Sequence, residues 1–207
     1  MLAVLYKTPF LMIIRMILLI SLGCLSGVQA QVKTLQDETG RISGFGGPYF
    51  GVTQLLDEVG LHRGAGGGVL VGGFFLGGFL ESSFSSSSAH FGDYTIGILN
   101  GGIWTGYSIL NREKIHPYIS LKAGWGGLTL QDRDNVEASY TDSVVSLQPE
   151  AGVELNLTRL VRLVVTGGYR QVLQVDGFPF GLESEDFSGL SGQVTLRLGG
   201  FAPRPSE

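Results

Sequence analysis

The sequence predicts an all-β protein: an eight-stranded antiparallel up-and-down transmembrane β-barrel that follows an N-terminal signal peptide. Three observations lead there. The chain opens on an export leader, the remainder alternates apolar and polar residues with period two, and its connections alternate between short and long.

The leader comes first. Lys7 and Arg15 are the only charges before Gln31, and an apolar run from Met16 to Leu25 follows them. Val28-Gln29-Ala30 then places small residues where a signal peptidase cuts, so cleavage is expected before Gln31. The run is shorter than the roughly 20 residues a spanning helix needs. An uncleaved anchor is the alternative, because the stretch before Arg15 is also apolar, and Met12 or Met16 are alternative starts. Ser21-Leu22-Gly23-Cys24 is only loosely like a lipoprotein cleavage site, with Ser21 where leucine is wanted. Cleavage at Ala30 removes Cys24, the single cysteine, and with it any disulfide, thiol nucleophile or thiolate metal site.

The expected organisation is a signal peptide at 1–30, an N-terminal periplasmic segment at 31–43, a barrel at 44–201 and a tail at 202–207. Loss of Lys7 and Arg15, with no acid lost beside them, takes the formal charge from −4 to −6. That balance excludes nucleic acid, whose partners need a basic footprint. The 33 glycines cluster inside apolar segments, as in Gly66-Gly67-Gly68, Gly77-Gly78 and Gly101-Gly102. Such runs break helices but suit strands that bend sharply or approach one another closely. No segment after the leader has 20 uninterrupted apolar residues, which excludes a bundle of membrane helices.

The strands follow from the alternation. From Ser146 to Thr158, Leu147, Ala151, Val153, Leu155 and Leu157 share one face, while Gln148, Glu150, Glu154 and Asn156 share the other. The same parsing along the chain gives strands at Gly44–Leu55, Arg63–Val71, Phe74–Phe84, Tyr94–Leu110, Ile115–Leu130, Val144–Leu157, Val161–Val175 and Gly189–Phe201. Pro149 lacks a ladder donor and is expected to mark a bulge. Gly72-Gly73, 111–114 and 158–160 make short connections. Leu56–His62, Ser85–Asp93, Gln131–Ser143 and Asp176–Ser188 make longer ones. Short periplasmic turns opposite longer outside loops are the pattern of an outer-membrane barrel, with both termini in the periplasm.

A soluble periplasmic lipocalin-like barrel would share the alternation with its faces reversed. In a membrane barrel the polar set, Lys122, Gln148, Glu150, Glu154, Arg162, Arg170 and Arg197, turns inward and its charges pair across strands. Glu150 and Glu154 are about 13 Å apart along a strand, too far to share a proton, so pairing with Arg162 or Arg170 is expected. Aromatics near strand ends, among them Tyr49, Phe50, Tyr94, Tyr107, Tyr118, Tyr169 and Phe201, are expected to form interfacial girdles. Eight strands enclose a space that side chains fill, so no open pore is expected.

The segment Leu190 to Phe201 resembles the last strand of outer-membrane barrels, with Phe201 one place off the apolar register. Gly44-Phe45-Gly46-Gly47-Pro48, His116-Pro117-Tyr118-Ile119-Ser120, Leu147 to Asn156 and Gly167-Gly168-Tyr169-Arg170 are similar to small uncharacterised outer-membrane barrels of Bacteroidota-type bacteria. The resemblance implies the fold, the outer-membrane location, contact with membrane lipid and recognition of the last strand by the barrel assembly machinery. It implies no activity.

The chemistry of a site is sparse. His62 and His90 fall in expected outside loops, and His116 opens a strand beside a periplasmic turn, with no metal-ligand spacing among them. His90, the serines at 82–88 and Asp93 supply the residue types of a lipid-modifying enzyme, without a nucleophile motif such as Gly-x-Ser-x-Gly. The reading is therefore a non-enzyme without cofactor or metal, monomeric, with a structural or envelope role or a surface-binding one. Gln131–Ser143, carrying Asp132, Arg133, Asp134, Glu137 and Tyr140, is the candidate contact surface for a surface ligand.

Overall fold

In the computed structural model of the chain, the residues described are 42–56, 58–87, 94–111, 113–132, 139–175 and 181–201. The expected signal peptide at 1–30 and the tail at 202–207 lie outside them, as do His90 and Asp93. Eight strands run in chain order: β1 Ile42–Leu55, β2 Glu58–Val71, β3 Phe74–Ser87, β4 Tyr94–Ser108, β5 Ile115–Asp132, β6 Ser139–Asn156, β7 Val161–Leu173 and β8 Gly189–Gly199. Each pairs antiparallel with the next, and β8 pairs with β1, closing the barrel. Strands of 11 to 18 residues meet the ~9–11 that a tilted strand needs to cross a bilayer.

One end of the barrel, the turn end, carries Gly72-Gly73, residues 109–114 and residues 157–160, together with the start of β1 and the close of β8. Gly72 has φ 61°, the left-handed conformation that the first position of a tight hairpin turn demands. The opposite end, the loop end, carries the connections from β1 to β2, β3 to β4, β5 to β6 and β7 to β8.

Period-two alternation decides what each face meets. On β6, Ser146, Gln148, Glu150, Glu154 and Asn156 are buried, whereas Val145, Leu147 and Val153 are exposed. The other strands repeat this, with Phe50, Leu61, Leu76, Ile103, Trp125, Val165 and Val194 outward. A water-soluble protein exposes isolated apolar residues, not a belt that runs over every strand. The polar-in, apolar-out arrangement is that of a membrane barrel.

Glycine makes room for the inward residues. A Cβ on Gly66 would stand 2.8 Å from the Trp104 ring and 2.9 Å from the Gly78 carbonyl oxygen, and one on Gly64 would stand 2.5 Å from the Tyr49 ring. Large side chains fit a narrow barrel only where the facing wall has none.

Several expectations are corrected. Leu56–His62 is not a long loop: β1 and β2 meet through Leu56 and Asp57 alone, with Leu55 opposite Glu58. His62 consequently lies in β2, buried. Strands β3, β5 and β6 run past their expected ends, so Ser85–Ser87 belong to β3 and only 133–138 remain of the loop expected at Gln131–Ser143. The loop asymmetry is largely absorbed into longer hairpins, because Ser, Thr and Tyr continue a ladder that satisfies the backbone without a loop. The connection from β7 to β8 stays long. Pro149 inserts no bulge. The β6–β7 pairing lapses between Leu147↔Gln171 and Glu150↔Gly168 and resumes in the same register. Pro48 leaves a matching gap between β1 and β8. A missing N–H costs a ladder bond without shifting the strand. Tyr49, Tyr118 and Phe201 are buried rather than part of a girdle, while Phe50 and Tyr169 do face outward.

Candidate functional site

The lumen is the one region where polar chemistry converges among the described residues, and it is filled in tiers. At the turn end, Glu154 of β6 is fully buried. Its carboxylate accepts hydrogen bonds from Ser108 Oγ at 2.6 Å and Arg162 Nη1 at 2.9 Å, with Arg197 Nη1 at 3.4 Å. His116 Nε2 approaches the same carboxylate at 3.5 Å. The three strands β6, β7 and β8 are neighbours here, with Glu154 opposite Val164 and Arg162 opposite Arg197.

Arg197 is also caged by aromatic rings. Its guanidinium lies 4.2 Å from the Phe45 ring centre, 4.4 Å from Phe75, 4.7 Å from Tyr118 and 5.3 Å from Trp104. Its Nη2 donates to Tyr118 Oη at 2.9 Å. Ring faces offer a buried cation the negative potential that water supplied in solution. Phe201, past the end of β8, lies beneath the Arg162 guanidinium at 4.1 Å.

Lys122 anchors the middle tier. Its Nζ is 3.3 Å from Glu81, 3.2 Å from Glu150 and 2.8 Å from Gln193 Oε1, and it sits 4.0 Å above the Tyr49 ring. Glu150 further accepts from Gln148 at 2.8 Å and Ser120 at 2.8 Å. Tyr49 Oη donates to Glu81 at 3.2 Å. One ammonium on β5 thus bridges carboxylates on β3 and β6.

Above it, Arg170 Nη1 reaches across to Ser83 at 2.8 Å, and Asn100 donates to Ser146 at 2.7 Å. Arg170 Nε and Nη2 make no hydrogen bond to protein among the described residues. Buried donors of this kind are satisfied by ordered water. The loop end is closed by an apolar layer: Leu55, Ile96, Ile98, Leu128, Leu130, Val144 and Val172 from the strands, with Leu182 and Phe187 folded over them. A backbone bond from Leu56 N to Asp186 O and the Ser188 hydroxyl accepting from Val172 N fasten that last connection down.

All seven polar residues singled out in the sequence are buried here, but not as one network. Glu154, Arg162 and Arg197 meet at the turn end, Lys122, Gln148 and Glu150 meet in the middle, and Arg170 stands apart with Ser83. The Glu154–Arg162 pair is the expected one; Glu150 takes Lys122 instead of Arg170. Glu81, Tyr49 and His116 were not foreseen as lumen residues. Glu81 was legible as the one charge of β3, in step with Phe75 and Phe79, which are buried. No group of His, Cys, Asp or Glu suited to a metal occurs among the described residues.

No protein-family model matches the chain, and no curated protein does. Solved structures do. Neisserial surface protein A is similar with a TM-score of 0.52 at 10% identity, over 78% of this chain and 97% of that one. A major outer membrane protein from Thermus thermophilus gives 0.49 at 12% identity, over 77% of this chain and 100% of that one. The N-terminal β-barrel domain of Pseudomonas aeruginosa OprF gives 0.47 at 10% identity, over 76% and 96%. At such identities the likeness is one of fold. The chain has the fold of a small outer-membrane β-barrel, closed by eight antiparallel strands.

Proposed function

We propose that the chain is a non-enzymatic barrel of a bacterial outer membrane, closed to solutes, with an envelope role and a surface-binding loop layer. The leader at 1–30 directs export, both termini stay in the periplasm, and the last strand, Leu190 to Phe201, is the element the assembly machinery reads. One observation carries this reading: the lumen is filled from the Glu154 tier to the apolar layer at the loop end, while the outward face is mainly apolar on every strand, with Arg63 of β2 exposed among it. A path for ions would have to break the Lys122 bridge and then cross Leu128, Leu130 and Phe187.

The test combines three measurements on cells and on purified protein. Fractionation with the outer membrane and a heat-modifiable shift on detergent gels are expected, together with no steady conductance in planar bilayers. A mature protein that stays folded and monomeric without detergent overturns the membrane reading. A stable open channel overturns the closed one.

The surface-binding part rests on charge at the loop end. Glu183, Glu185 and Asp186 are exposed, and Glu58 flanks the β1–β2 turn. Asp132, Asp134, Glu137 and Asp142 add to this end from the β5–β6 hairpin, against Arg133 alone. Such a rim repels polyanions and favours cationic partners. Removing 133–138 should leave the heat-modifiable shift intact and weaken capture of a basic peptide. Unchanged capture would remove this reading.

A further inference from the structure

The β1–β8 seam stops short of the loop end, as the β2–β3 seam also does at Leu61↔Phe84. Its ladder ends towards the loop end at Thr53↔Ser191, although β1 continues to pair with β2 as far as Leu55↔Glu58 and β8 with β7 as far as Arg170↔Gly189. The wall is complete on both sides of a seam that is not laddered over its last residues. There the surface holds a groove of about 370 Å³, lined by Val52, Gln54, Val59, Leu190 and Gly192 on the outward register and by Thr53, Glu58 and Ser191 on the inward one. Gly192 forms its floor by default: a Cβ there would meet nothing nearer than the Thr166 carbonyl oxygen at 3.8 Å.

The lining has a direction. Val52, Val59 and Leu190 are 47%, 77% and 69% exposed and belong to the apolar belt, so the groove opens onto the surface that faces hydrocarbon. Of its polar members, Thr53, Glu58 and Ser191 turn inward, Ser191 accepting from Gln148 at 3.4 Å, whereas Gln54 faces outward in the last residues before the loop end, where a bilayer's ester and headgroup region would begin. A water-borne ligand would have to cross lipid to reach it. A volume of this size lies at the small end of ligand sites and matches one chain, not a whole lipid.

We propose that the β1–β8 groove seats one acyl chain of an outer-leaflet lipid, with the outward Gln54 at its polar end. The proposal rests on the membrane reading above. A site of this kind takes a lipid out of general exchange, because a chain in a groove touches protein on several sides where an annular chain touches it on one.

The test is photolabelling of the refolded, full mature chain in vesicles of phosphatidylethanolamine and phosphatidylglycerol that contain a phosphatidylethanolamine with a diazirine on its acyl chain. Labelled peptides are mapped, and folding is checked by the heat-modifiable shift. Labelling at Val52, Val59 and Leu190 should exceed that at Ile103 and Leu121 by about fivefold. Gly192→Leu, which fills the groove where no atom obstructs it, should erase the excess. Gly97→Leu is the control, because Gly97 is also open, with only the Ser83 oxygen at 4.0 Å, and lies on β4. Even labelling around the circumference, or an excess that survives Gly192→Leu, overturns the acyl site while leaving the barrel in the membrane. Absence of labelling anywhere overturns the membrane reading as well.

Discussion

Glu154→Gln tests the turn-end tier most directly. The wild-type carboxylate is fully buried and serves Ser108, Arg162 and Arg197 at once. Glutamine keeps the shape and one carbonyl oxygen, but removes the charge that offsets two guanidinium groups. Breaking a buried ion pair by neutralising one partner typically costs about 3–5 kcal/mol, because the remaining charge stays out of water. The aromatic cage softens this for Arg197 by up to roughly 2 kcal/mol, and Arg162 lies over the Phe201 ring. A net loss of about 2–4 kcal/mol follows from those two magnitudes. Urea unfolding of the refolded protein in detergent, followed by the fluorescence of buried Trp104, should then show a midpoint lower by about 1–2 M for a slope near 2 kcal/mol/M. Glu150→Gln is the internal comparison: Lys122 keeps Glu81 and Gln193, so a loss of about 1–2 kcal/mol is expected. Equal losses for the two variants, or a loss under about 1 kcal/mol for Glu154→Gln, would refute the reasoning, since both would mean that lumen water replaces the carboxylate.

Three further outcomes follow from the same structure. Gly66→Val drives a side chain into Trp104 and the Gly78 carbonyl and should cost at least about 1–3 kcal/mol, seen as a lower unfolding midpoint and a changed Trp104 emission. Ile103→Arg places a cation outward on β4 between Gly78 and Ala123 and should cost about 2–4 kcal/mol near a bilayer midplane; a neutral effect in lipid vesicles would contradict an outward lipid face. Lys122→Met leaves Glu81 and Glu150 without their shared cation and should cost about 3–5 kcal/mol, measured by urea unfolding, with the double change Glu81→Gln and Glu150→Gln recovering part of it.

The fold was legible because one signal, alternation, repeats eight times, and errors in any single strand end leave strand number and facing unchanged. Facing followed from chemistry: Glu150, Glu154, Arg162 and Arg197 lie opposite the outward apolar register, and charges that turn inward need partners. Partners were harder to read. Whether Glu150 meets Lys122 or Arg170 depends on side-chain reach across a closed lumen, and the closure brings β5 opposite β8 at a distance no local pattern encodes. His62 was misplaced because Gly60 and Gly64 dilute the alternation around it, so β2 reads as loop until Leu55↔Glu58 pairing is known. The same weakness concealed the β1–β8 groove, whose sides are 138 residues apart in the chain between Val52 and Leu190.

A polar lumen also answers a problem that an apolar one would leave open. A strand that is apolar on both faces can slip by one residue at little cost, since either set of side chains suits either side. Here a one-residue slip of β6 would send Glu150 and Glu154 into hydrocarbon and Leu147 and Val153 into the lumen. Exposing each charge to lipid is costly, and the Lys122 and Arg197 partners left inside add their own desolvation. The glycines act in the same direction: Gly64 and Gly66 receive Tyr49 and Trp104 in one register only, because a shift would present Ala65 and Gly67 from the wrong face. Charge and shape therefore specify the same pairing independently. A buried ion network that contributes little net stability still excludes the neighbouring registers, and that is a reason for so small a barrel to carry ionisable and amide side chains where aliphatic ones would pack.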